Sequence, residues 1–99
     1  MSAYVLSVID KKDEATYARY GEAGFKALEG IPFEIELAEP PEVLEGHFPG
    51  TTLVLMKFES MAVARQWWNS DAYRQAVPFR HAAAETPFVV LFPGDGEKG

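Results

Sequence analysis

His47 and His81 are the only imidazoles in this 99-residue sequence, and cysteine is absent. Imidazole is the side chain whose ordinary pKa lies closest to neutrality, so these two positions are the first candidates for proton transfer. Glu45 lies two residues before His47, and the two can form a carboxylate-supported base. The histidines have no metal-ligand spacing, and no helix carries a His-x-x-x-His pair or an acidic equivalent. Without cysteine there is no thiolate metal site, no disulfide and no cysteine nucleophile. Phosphate-binding loops, serine triads and dinucleotide fingerprints are missing as well. No metal or cofactor is expected. Trp67, Trp68 and Phe79 can line an aromatic pocket for a small apolar ligand, or can fill the core.

Alternating strands and amphipathic helices must position these groups. Ala3 to Ile9 is rich in β-branched residues and predicts a strand. Asp10 or Asp13 can cap a helix from about Lys12 to Leu28, which places Tyr17, Tyr20, Gly21, Gly24, Phe25 and Leu28 on one side. Two glycines inside a helix each cost about 1 kcal/mol against alanine, and close approach of the helix to a sheet would explain them. Gly30 and Pro32 end this helix. Phe33 to Leu37 is expected as a second strand, with Pro40-Pro41 turning the chain and Glu42 to Glu45 extending the ribbon. Thr51 to Phe58 predicts a third strand. Ser60 caps a helix over Met61 to Asn69, and Ser70-Asp71 restarts a helix that Pro78 breaks or kinks. Phe79 to Glu85 can add a further turn or two, and Thr86 to Phe92 is the last strand. The order β-α-β-β-α-β gives an α+β class: a ferredoxin-like sandwich of four antiparallel strands with both helices on one face. It spans residues 1–94 as one domain, followed by a flexible tail at 95–99.

Helices on one side cover one face of such a sheet, so the other face should alternate to polar. It does not. Tyr4, Leu6 and Val8 oppose Ala3, Val5 and Ile9; Leu53 and Leu55 oppose Val54, Met56 and Phe58; Phe88, Val90 and Phe92 oppose Val89 and Leu91. Monomers seldom expose more than a few hundred Å² of contiguous apolar surface. A second copy packed sheet to sheet about a twofold axis is the simplest cover, so a homodimer is expected.

The composition narrows the partners. Fifteen Asp and Glu against nine Lys and Arg give a net charge of −6, which repels phosphate and disfavours nucleic acid and anionic membranes. The whole excess lies between Ala27 and Met56, where there are six glutamates and no Lys or Arg. This segment is either a solvated hairpin or an acidic rim that selects cationic ligands or disfavours anionic ones. No apolar run approaches the roughly 20 residues of a membrane span. No leader precedes the first strand, and the expected location is cytoplasmic.

Val43-Leu44-Glu45-Gly46, Pro49, the strand Leu53–Phe58 running into Glu59-Ser60, Ala62-Val63-Ala64-Arg65-Gln66-Trp67-Trp68-Asn69-Ser70-Asp71-Ala72-Tyr73 and Phe79-Arg80 together resemble a known family. It is the domain of unknown function 1330, within the dimeric α/β-barrel superfamily. Tyr17-x-x-Tyr20 also fits, and the likeness spans about residues 2 to 94. The resemblance implies two ferredoxin-like chains joining their sheets into one barrel. That superfamily includes monooxygenases, haem-degrading enzymes, dismutases and stress-response proteins, while the family itself has no established reaction. This chain departs from the pattern at Glu34-Ile35-Glu36 and Thr51-Thr52, where basic residues are common, so an anionic ligand that those residues bind elsewhere in the family should not be bound the same way here.

The resemblance also implies polar site positions at Glu45, Ser70, Tyr73 and Arg80. Glu45 can act as a general base if burial raises its pKa. Ser70 is equally a helix N-cap. Tyr73 either packs with its hydroxyl at a rim or donates to a substrate oxygen. Arg80 either bridges to Glu45 or Asp71 or binds a substrate carboxylate in the cleft between helices and sheet. Catalysis would then fall to Glu45, His47, Tyr73 and Arg80, with Tyr17, Trp67, Trp68, Ser70 and Phe79 lining the pocket. The function expected is that of an uncharacterised homodimeric barrel performing cofactor-independent chemistry on a small organic molecule. The alternatives are a non-catalytic ligand-binding or stress-related module, and a haem-interacting protein ligated by His47 or His81.

Overall fold

The computed structural model of the chain describes residues 2–94; the tail expected at 95–99 lies outside the described residues. The elements run β1 (Ala3–Lys11), α1 (Glu14–Lys26), β2 (Phe33–Glu39), β3 (Thr52–Phe58), α2 (Met61–Asn69), α3 (Asp71–Ala83) and β4 (Ala84–Pro93). The four strands form one sheet in the order β2-β3-β1-β4. Every neighbouring pair is antiparallel. Among the described residues this is the ferredoxin-like arrangement, its second helical region divided into α2 and α3 where the restart at Ser70-Asp71 was read.

Local chemistry accounts for the boundaries. Asp13 caps α1, its carboxylate accepting from the Ala15 and Thr16 amides at 3.1 and 3.2 Å. Those hydrogen bonds, with that from the Thr16 hydroxyl, hold the Asp13 carboxyl below its ordinary pKa. Gly30, with φ +76°, turns the chain out of the helix end in a conformation other residues avoid. Ser60 caps α2 by accepting from the Val63 amide at 3.1 Å.

Ser70 separates α2 from α3 by serving both. Its backbone is extended (φ −67°, ψ 148°), its hydroxyl accepts from the Tyr73 amide at 3.1 Å, and it donates to the Trp67 carbonyl at 2.8 Å. Pro78 does not break α3, which continues past it to Ala83. Its ring sits on the exposed side, where only one backbone hydrogen bond is forfeited.

The ribbon expected through Glu42–Glu45 does not form. Residues 40–51 are a loop without strand pairing. Pro40 and Pro41 offer no amide hydrogens, and Gly46 at φ +87° bends the chain away. The loop returns at Gly50, which lies so close to β1 that a Cβ there would stand 2.8 Å from the Ile9 carbonyl oxygen and the Val8 side chain.

The core lies between sheet and helices. Ala3, Val5 and Phe58 come from the strands; Ala64, Trp67, Tyr73 and Ala76 come from α2 and α3; Ala27 and Leu28 follow the end of α1. Phe58 and Trp67 pack with ring centroids 5.1 Å apart, and Trp67 and Tyr73 at 4.3 Å. Among the described residues, no helix covers the opposite face. There the register aligns Leu37, Leu55, Leu6 and Val90 in one row across all four strands. Phe88, Val90 and Phe92 are exposed on it. The two-sided apolar alternation read from the sequence is therefore present.

Candidate ligand-binding site

Helices α1 and α3 stand over the sheet side by side and leave a cavity of about 200 Å³ beneath them. From α1 it is lined by Tyr17, Tyr20, Gly21, Gly24 and Phe25, which share one helix face at three- and four-residue spacing. Tyr73 and Arg80 line it from α3, two helical turns apart on the same face. Trp67 closes one wall, and Val5, Ser7, Val54, Met56 and Val89 form the floor.

Among the described residues, Arg80 is the single charged one lining the cavity. Only 4% of its surface is exposed. Its Nε has no hydrogen-bond partner, and neither has the buried Trp67 Nε1. The ion pairs found among the described residues are Lys11–Glu14 and Lys12–Asp10, so the bridge considered from Arg80 to Glu45 or Asp71 is not made. The guanidinium lies 5.8 Å from the Tyr20 ring centroid, within cation–π range.

The Tyr20 and Tyr73 hydroxyls are 2.8 Å apart and hydrogen-bonded. Burial pushes the Tyr20 hydroxyl well above its ordinary pKa, with Tyr73 adding to the effect and the Arg80 charge opposing it. Burial raises Tyr17 too, again against Arg80. The Tyr17 and Tyr20 hydroxyls stay protonated at neutral pH and serve as hydrogen-bonding groups rather than bases.

Four of the positions predicted from sequence come together here: Arg80, Tyr73, Tyr17 and Trp67. Others do not. Glu45 and His47 are exposed on the 40–51 loop, next to Leu44 at 89% exposure. Phe79 and His81 are exposed on α3, outside the lining. Ser70 is committed to the helix junction. Trp68 packs against Tyr73 at 5.4 Å, with the Arg74 guanidinium 4.6 Å over its ring. Among the described residues no three His, Cys, Asp or Glu side chains cluster to hold a metal ion. Nor is any helix there long and apolar enough to cross a membrane. Sequence reasoning missed Tyr20, Gly21 and Gly24 as cavity residues. Their shared helix face was visible but suggested contact with the sheet, whereas a Cβ at either glycine would meet nothing within 4 Å.

A four-stranded antiparallel sheet, helices on one side and an apolar pocket between them define a ferredoxin-like α+β protein whose pocket opens past the exposed Phe25 and Ile35. The chain belongs to DUF1330, described as a domain of unknown function, which matches residues 2–93. No curated protein matches it. Among solved structures, it is similar to a protein of unknown function from Rhodopseudomonas palustris (16% identity, TM-score 0.73, covering 94% of this chain and 82% of that one). It is also similar to a dimeric ferredoxin-like protein of unknown function from Jannaschia sp. CCS1 (17% identity, TM-score 0.65, covering 95% and 100%). A third similar structure is SnoaB, a cofactor-independent oxygenase from Streptomyces nogalater (8% identity, TM-score 0.61, covering 97% and 95%). At these identities the likeness concerns the fold alone.

Proposed function

We propose that two copies of this chain join through their helix-free sheet faces, and that each holds a small, largely apolar organic molecule in the cavity under α1 and α3. Arg80 and Tyr73 orient that molecule, and any chemistry on it proceeds without a cofactor. The observation that carries this reading is an apolar cavity of about 200 Å³ whose sole charged lining residue, Arg80, is buried without a carboxylate. Cavities of about 150 Å³ already admit a benzene-sized guest.

Exposed Phe88, Val90 and Phe92 support pairing of the sheets, as does the dimeric Jannaschia protein of the same fold. SnoaB supports cofactor-independent chemistry as something this fold can host. A cytoplasmic setting belongs to the same proposal, on the absence of cysteine.

Thermal unfolding in the presence of ring-sized organic compounds tests the pocket. A ligand at a hundredfold its Kd stabilises the folded state by about 2.7 kcal/mol and raises the midpoint. Gly24→Leu, which fills the cavity from α1, should remove that rise. Midpoints unmoved by every compound would contradict the reading.

A further inference from the structure

We infer that the molecule held in this cavity is a small organic anion. Its oxyanion lies on the Arg80 guanidinium, and its flat apolar body lies under Gly21 and Gly24. This rests on the pocket proposed above and specifies what enters it.

Three observations carry the inference. The first is charge. Arg80 is 4% exposed and lines the cavity, and its Nε is unpartnered. A buried cation is costly unless an anion or hydrogen-bond acceptor meets it. No Asp, Glu or His stands among the lining residues to do so. The second is the set of polar groups on offer. Beside Arg80, the lining offers the hydroxyls of Ser7, Tyr17, Tyr20 and Tyr73, which can donate to an anion. A ligand bringing an oxyanion meets the guanidinium charge and can accept from these hydroxyls; a neutral hydrocarbon does neither.

The third is size. Gly21 and Gly24 stand inside α1, where each costs stability relative to alanine. Close packing does not require them, because a Cβ at either would meet nothing within 4 Å. What they leave is room, on the helix face that roofs the cavity. Tyr17 and Tyr20 precede these glycines on that face, so the polar end of the cavity lies toward the start of α1. Phe25 and Leu28 mark its apolar end.

The acidic stretch between Ala27 and Met56 does not oppose such a ligand at close range. Its glutamates are exposed, and salt screens exposed charges far more than a buried guanidinium.

Calorimetric titration of the wild-type protein with 1-naphthoate and with neutral 1-naphthalenemethanol tests the charge. The anion should bind more tightly by about tenfold or more, and Arg80→Gln should abolish that preference. Gly24→Ala should weaken 1-naphthoate while sparing the smaller benzoate, with a thermal midpoint at or above that of the wild type. If the alcohol binds as well as the anion, the anion assignment is overturned and the pocket stands. If neither compound binds the wild-type protein, both fall. Equal loss of naphthoate and benzoate in Gly24→Ala would overturn the role given to the glycines. The comparison of the two naphthalenes needs no variant, so it decides the charge even if Arg80→Gln fails to fold.

Discussion

A guanidinium buried among tyrosines and aliphatic side chains, with no carboxylate in the cavity wall, makes a poor contribution to stability. Replacing buried charged groups with apolar side chains of similar volume is often neutral or stabilising. Arg80→Met should therefore melt at or above the wild-type temperature while losing affinity for anions. A large drop in the melting temperature would mean that Arg80 serves the fold. Tyr20→Phe removes the 2.8 Å hydroxyl pair with Tyr73 and should cost about 0.5–1.5 kcal/mol in chemical denaturation. It should also change the alkaline limb of stability. The folded state holds the Tyr20 proton more tightly than the unfolded chain, whose phenol has the ordinary value of 10.0. Stability is then fully present below that pH and declines as the pH rises past it. A pH series of denaturation midpoints should show a shallower decline in Tyr20→Phe than in the wild type.

At the scale of elements, Ser70 and Pro78 make opposite predictions. Ser70→Ala loses the cap on α3 and should cost about 1 kcal/mol. Pro78→Ala restores a backbone donor at an exposed position inside α3. It should stabilise the protein, by up to about 3 kcal/mol, as read by urea denaturation.

The same elements show what the sequence could and could not reveal. β1, β3 and β4 were legible because Val, Ile, Leu and Phe crowd them, and both serine caps because a hydroxyl precedes α2 and α3. Pro78 misled because its effect depends on which side of the helix it occupies, and periodicity alone did not settle that. Glu45 and His47 were legible as chemistry but not as a location, because no local rule says where a proline-flanked loop will lie. The cavity was the least legible feature. It arises where Tyr20 meets Tyr73, 53 residues apart in the chain, and a gap between two helices leaves no periodic mark in either. Gly21 and Gly24 were its only local trace, and close packing explained them equally well on paper.

For the whole molecule, the sheet divides the work. One face, under the helices, builds the core and the cavity; the other carries Leu6, Leu55, Leu37 and Val90 in a row with no helix above them. A charge placed in that row should leave the fold and the cavity intact and disrupt only association, because it lies on the far side from α1 and α3. Sedimentation equilibrium at micromolar concentration, on the wild-type protein and on Val90→Glu, separates the two roles. The wild type should sediment at twice the 11.0 kDa chain mass, and Val90→Glu should sediment as a single folded chain. A wild-type protein that remains a single chain across that range would contradict the pairing of sheets and the division of labour between the two faces.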